Sequence, residues 1–119
     1  MIIAIAEDRA VAVREAKQQI GFYGTTPNYQ PVFDSYGDGE LTGRLRAAWK
    51  TKDLEALVAA VPDEAVERYA VAGTADEVRE RVAEYEKVVD HLVLGGAWYK
   101  VPMGRMAENF VAILEQLGP

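Results

Sequence analysis

Cysteine is absent from the 119 residues, which excludes disulfides, thiolate nucleophiles and zinc–sulfur sites together. Histidine occurs once, at His91, so no second imidazole exists to share metal ligation or acid–base work. Basic residues are too few for a nucleic-acid or anionic-membrane partner: 13 Lys and Arg stand against 19 acids, a net charge of −6. No apolar run approaches the ~18 residues of a membrane span. The opening Met1-Ile2-Ile3-Ala4-Ile5-Ala6 is apolar but short, and it lacks the basic flank of a secretory signal. A Gly-rich dinucleotide fingerprint, a P-loop and a metal-ligand cluster are also missing. What remains is an acidic domain, expected in the cytoplasm, whose apolar half (50% of residues) suffices for one core.

The pattern of that apolar half is strand, helix, strand, helix. Residues 1–6 read as a buried strand, with β-branched Ile2, Ile3 and Ile5 in a nearly continuous run. Asp8 is placed to cap a helix that runs to about Phe22. Its expected buried stripe is Ala10, Val13, Ala16, Ile20 and Tyr23, with Arg14, Glu15, Lys17 and Gln18 facing away. Turn residues crowd 25–39, around a short helix carrying Tyr29, Val32, Phe33 and Tyr36. Two helical pieces follow in 40–61 with Asp53 as the cap between them, and Pro62-Asp63-Glu64 opens another.

Residues 69–73 form the second expected strand. Thr74 then caps a helix, and Glu77 three residues on completes a capping box. Val78, Val82, Tyr85 and Val89 are its expected inner face. A third strand is expected at 92–95, and Pro102 opens a last helix with a broad apolar face of Met103, Met106, Phe110, Ile113, Leu114 and Leu117. Strands alternating with helices imply α/β architecture, here three parallel strands with packed helices in a single domain, 1–119.

Ligands of parallel α/β folds sit at strand C-terminal ends, which selects the candidates. Gly73-Thr74 opens a helix whose free N–H groups suit a phosphate or carboxylate; the plainer account is that Thr74 only caps. Gly95-Gly96-Ala97-Trp98-Tyr99-Lys100 follows the third strand, where Gly95 permits close approach and Trp98 can wall a planar ring. Its plainer account is a loop covering the end of the sheet. Lys100 and Arg105 are candidates to hold an anion nearby, or are ordinary solvated charge. Glu7 and Asp8 follow the first strand on the same side, whereas His91 precedes a strand, the side associated with stability. Tyr23, Tyr29, Phe33 and Tyr36 shape either a substrate entrance or a local core. No catalytic residue is assigned, and Glu7 stays open as a candidate beside the capping role of Asp8.

Several segments, taken in order, carry a family likeness. Gln18-Gln19-Ile20-Gly21-Phe22-Tyr23-Gly24-Thr25-Thr26-Pro27-Asn28-Tyr29 resembles the C-terminal third of luciferase-like monooxygenases, most of all the branch that uses the deazaflavin coenzyme instead of FMN. Leu45-Arg46-Ala47-Ala48-Trp49-Lys50, Val61-Pro62-Asp63-Glu64, Val71 to Val78 and Asp90-His91-Leu92-Val93-Leu94 follow in the family's order. The resemblance implies strands six to eight of a (β/α)8 TIM barrel with a helical insertion at about 26–68. It also implies an oxidoreductase that moves a hydride or activates oxygen on a deazaflavin or FMN. Gly73, Thr74, Gly95 and Trp98 would then be coenzyme contacts.

A complete barrel has eight strands and about 250 residues, so most coenzyme-binding strands are missing. The chain alone is therefore expected to bind no coenzyme and to be non-catalytic. Its exposed sheet edges call for a partner, either a second copy in a homodimer or a separate N-terminal barrel part. The other reading of the chain is accordingly a non-catalytic interaction domain derived from that barrel. Met1 directly before the first strand suits a short natural protein, a truncation or an engineered piece alike.

Overall fold

Ile2–Ile5 form β1, the middle strand of a three-stranded parallel sheet in the computed structural model, which describes residues 1–119. β2 (Ala70–Gly73) lies on one side, with Ile2 opposite Ala70 and Ile5 opposite Gly73. β3 (Gly95–Gly96) lies on the other, opposite Ile2 and Ile3. β1 is followed by the 17-residue α1 (Arg9–Thr25), a short 3-10 turn (Pro27–Tyr29) and α2 (Gln30–Ser35). α3 (Gly39–Lys50), α4 (Leu54–Ala60) and α5 (Asp63–Tyr69) complete the helical insertion. β2 leads into α6 (Ala75–Glu86), and β3 into α7 (Met103–Leu117). None of these helices is long and apolar enough to cross a membrane.

The pleat of β1 divides the core in two. Ala4 joins Ala12, Ala16 and Ile20 of α1 with Phe33, Leu41, Leu45 and Leu57 of the insertion. Ile3 and Ile5 point the other way, with Val71, onto Val78 and Val82 of α6 and Ile113 of α7. Helices thus cover both faces, as the near-continuous apolar run of β1 requires. Burying Ile3 or Ile5 contributes about 1.5–3 kcal/mol each.

The local start signals act as read from the sequence. The Asp8 carboxylate accepts from Ala10 N–H at 2.9 Å, and Asp53 accepts from Glu55 N–H at 3.0 Å. Thr74 and Glu77 form the capping box. Asp38, in the turn before α3, ties the insertion to the end of α5 by accepting from the Tyr69 hydroxyl at 2.6 Å and from Arg68.

Four expectations need correction. Consecutive barrel staves would put residues 69–73 in the middle, yet β1 is central and the order is β2-β1-β3. In an open sheet the strand with the most β-branched surface is best buried at the centre, flanked on both edges. The third strand is Gly95–Gly96 alone instead of 92–95. Residues 92–94 are held at the chain terminus, where the Met1 amino group donates to Val93 O at 2.8 Å. The face of α7 is narrower than expected: Ile113 is buried, whereas Met103, Phe110 and Leu114 stand 79%, 60% and 57% exposed. Val89 likewise lies beyond the end of α6 and is exposed.

Candidate functional site

The connection after β1 leaves to the α1 face, and the connection after β3 leaves to the α7 face. An open parallel sheet has its crevice beyond the strand carboxyl ends where neighbouring connections part in this way. A groove of about 670 Å³ opens there, lined by Ala6, Glu7, Val11, Ala75, Arg105 and Glu108 among others. Glu7 is exposed at its rim.

Arg105 does not offer its charge to this groove. Its Nε and Nη2 each donate at 2.9 Å to one oxygen of Glu15, Nη2 also reaches Ile5 O at 3.0 Å, and Nη1 donates to Glu108 at 2.9 Å. The Glu15 hydrogen bond, more than any other influence, pushes the guanidinium pKa above its usual value. Glu15 is 5% exposed, which contradicts the outward-facing position expected for it. Four of five guanidinium donors are thus paired within the chain, three of them to Glu15 and Ile5 O and one to the exposed Glu108 at the groove.

One turn further along α7, Asn109 sits against the edge of β1. Its Oδ1 accepts from Ile5 N–H at 2.8 Å, and its Nδ2 donates to Ile3 O at 3.0 Å. Gly96 makes room for it: a Cβ there would lie 3.1 Å from Asn109 Nδ2. The close approach that glycine permits at this point serves a side chain of the protein itself.

Gln18 and Gln19 hold the chain after β3. Gln19 Oε1 accepts from the N–H groups of both Trp98 and Tyr99 at 2.9 Å, and Gln18 Nε2 donates to Tyr99 O at 2.9 Å. Gln19 Nε2 is buried without a partner. Trp98 consequently packs edge-on against Phe22 near the end of α1, with ring centroids 5.1 Å apart, instead of standing over the strand ends.

At Gly73-Thr74 the anion position belongs to Glu77. The Glu77 carboxylate accepts from Thr74 N–H at 2.8 Å and from its hydroxyl at 3.2 Å, and pairs with Arg9 at 3.4 Å. That backbone hydrogen bond is the leading cause holding the Glu77 pKa below its ordinary value. A Cβ on Gly73 would lie 2.4 Å from Glu77 Oε2, so the glycine gives space to this carboxylate. A second anion would meet like charge at contact distance.

The four candidate coenzyme contacts fall in two pairs, Gly73 with Thr74 at the end of β2 and Gly95 with Trp98 from the start of β3 onward. Gly95 opposes Ile2 and Gly73 opposes Ile5, on opposite sides of β1. Ordinary strand spacing and rise then separate them by roughly 14 Å. Lys100 lines a cleft other than the one beside Arg105. His91 is exposed on the approach to β3. The expected aromatic group splits in two: Tyr23 packs on Tyr29 at 4.5 Å, while Phe33 and Tyr36 pack on Tyr69 at 4.7 and 5.4 Å.

Glu15, Gln18, Gln19 and Asn109 are the polar residues that organise this end of the sheet, and none is a candidate site residue by sequence. Their one sequence signal is polarity beside an apolar run: Gln18-Gln19 before Ile20, and Asn109 before Phe110. With the anion position at Thr74 filled by Glu77, and Arg105 paired with Glu15 and Glu108, neither position is free to receive a coenzyme phosphate.

Comparison with known proteins gives the ancestry. The family model for luciferase-like monooxygenases matches residues 1–92. Uncharacterized protein Rv1360 of Mycobacterium tuberculosis (strain H37Rv) is 34% identical over 80 residues, which is 66% of this chain and 24% of that one. Uncharacterized protein Mb1395 of Mycobacterium bovis matches with the same identity and coverage. No solved structure is significantly similar to the chain. The chain spans about a quarter of the length of these relatives. A family model that matches more than three quarters of this chain, from the first strand through the capping box to the approach of β3, makes the chain a member of the luciferase-like monooxygenase family.

Proposed function

We propose that this chain is the C-terminal portion of a luciferase-like, flavin- or deazaflavin-dependent oxidoreductase, and that it does not catalyse hydride transfer or oxygen activation by itself. The observation that carries the reading is the filled anion position at the head of α6, where Glu77 stands on the Thr74 N–H group. Family membership supports the oxidoreductase class, and the roughly quarter-length match to the relatives supports a portion of a larger barrel. The coenzyme, FMN or its deazaflavin counterpart, would be gripped mainly by strands other than these three. Consecutive staves would require β3 beside β2, an exchange of a ladder only two residues long.

Absorbance titrations of the chain with FMN and with the deazaflavin coenzyme test the first half, and unchanged spectra are expected. Grafting the chain onto the preceding strands of a full-length family member tests the second. The chimera is expected to bind coenzyme and transfer hydride. Tight coenzyme binding by the isolated chain, or a folded chimera that never binds it, would overturn the reading.

A second reading is a non-catalytic interaction domain, pairing with a copy of itself or with a separate N-terminal barrel part. It is favoured by the exposed Met103, Phe110 and Leu114 on α7, beside the open edge of β3. Light scattering at micromolar concentration distinguishes a homodimer from a monomer, and a clean monomer counts against self-pairing.

A further inference from the structure

Two lysines, Lys52 and Lys100, are the only non-glycine residues with left-handed backbone, both at φ 56°. That conformation crowds an L residue's β-carbon, and glycine or asparagine is its usual occupant. The two lysines come from turns 48 residues apart in sequence, yet both line one cleft of about 360 Å³. The cleft lies between the α3–α4 corner and the turn that follows β3.

Its walls are aromatic. The rings of Trp49 and Tyr99 lie with centroids 5.6 Å apart, and Phe22 stacks behind Tyr99 at 4.8 Å. Leu57 supplies an apolar base and is 2% exposed, whereas Trp49 keeps 39% of its surface open. Apolar walls of this kind accept a planar ring and reject a small hydrated ion.

The charge at the rim is positive and unspent. Neither Lys52 nor Lys100 has a carboxylate within ion-pair distance, although acids outnumber bases 19 to 13. Asp53 lines the same cleft and keeps its charge, with Oδ1 accepting from Glu55 N–H at 3.0 Å, so the two lysines leave a net charge of +1 at the rim. Neither ammonium sits over an aromatic ring, a contact that Arg81 does make with Tyr85.

We propose that this cleft binds a small planar aromatic carboxylate, with its ring against Trp49 and Tyr99 and its carboxylate paired with Lys52 and Lys100. The site is built entirely from this chain's own side chains. It therefore stands apart from the coenzyme reading, and a chain that binds no flavin still carries it.

The test is a titration of the ¹⁵N-labelled whole chain with 1-naphthoate, followed at the indole N–H of Trp49, with 1-naphthylmethanol as the neutral comparison. Affinity roughly in the millimolar range is expected for a ligand of this size, with the neutral compound about tenfold weaker. Lys52→Asn and Lys100→Asn remove the charges but tolerate left-handed backbone. Each is expected to weaken naphthoate binding about fivefold or more and to leave the melting temperature unchanged or raised. Equal binding of the neutral compound, full affinity in the double variant, or no saturable shift up to about 10 mM would each overturn the site. None of these outcomes depends on a coenzyme.

Discussion

Asn109 continues the ladder of Ile5 where β3 stops. The carboxamide presents an acceptor to Ile5 N–H and a donor to Ile3 O, as a neighbouring strand's peptide would, from a residue 104 positions away from Ile5. β3 is consequently two residues long: Ala97 N–H still reaches Ile3 O at 3.2 Å, and beyond it the edge of β1 belongs to α7.

Asn109→Ala strands the Ile5 N–H in the interior. It is expected to lower stability by about 2–3 kcal/mol, the cost of an unsatisfied buried backbone donor plus a small void. Urea denaturation reads the change directly. A loss below about 0.5 kcal/mol, the scale of an ordinary surface substitution, would mean that the carboxamide contributes no net bond.

Glu15 and Arg105 behave as one unit. Their side chains are 7% and 24% exposed, so removing either partner strands a largely buried charge. Arg105→Met or Glu15→Leu is expected to cost about 3 kcal/mol, and the double variant clearly less than the sum. Strict additivity in that double-mutant cycle would show that the two residues are independent.

Acid sensitivity should centre in part on Asp38. Burial disfavours its charged form, but hydrogen bonds from Arg68 and Tyr69 outweigh that and hold its pKa below the ordinary value. A depressed folded-state pKa contributes stability that is complete above the unfolded value, about 3.9, and is lost as pH falls through the folded one. Asp38→Asn is expected to lower the urea midpoint near pH 6 and to flatten the decline toward about pH 3. The slope that persists belongs to Glu55, Asp63 and Glu77, whose pKa values are also lowered by their hydrogen bonds. An unchanged slope in the variant would remove Asp38 from this account.

Glycines on two helices should respond with opposite signs. A Cβ on Gly24 of α1 would meet Leu45 Cδ1 at 2.3 Å, whereas nothing lies within 4 Å of one on Gly43 of α3. Gly24→Ala is expected to destabilise by about 1–3 kcal/mol through overpacking, despite alanine's better helix propensity. Gly43→Ala is expected to stabilise by about 1 kcal/mol. Thermal melts of the two variants, measured side by side, decide the matter.

Features that act over a few residues were legible in the linear chain. Asp8, Asp53 and Thr74 each cap the helix they precede, because a side chain one to three residues away is the nearest acceptor for a free N–H group. The parallel sheet followed from the strand–helix alternation. In the candidate site, Arg105 and Gly73 are legible as positions that accommodate a carboxylate, and in the fold those carboxylates are Glu15 and Glu77 of the same chain. Periodicity puts Glu15 and Gln18 on the solvent side of α1, because a helix stripe counts only one buried face. α1 is enclosed by the sheet, the insertion and the turn after β3 together, so Gln18 and Gln19 meet backbone groups and Glu15 meets the Arg105 guanidinium instead of water.

The linear sequence alone therefore determined the helices, their starts, the apolar character of β1 and the acidic, cysteine-free chemistry available to this protein. Tertiary structure decided the strand order, the two-residue length of β3, the committed guanidinium of Arg105 and the meeting of Lys52 with Lys100 across one aromatic cleft. Periodicity and capping are settled within a turn of the chain, while the choice among distant donors and acceptors is made only when packing brings them into a dry interior where each must find a partner.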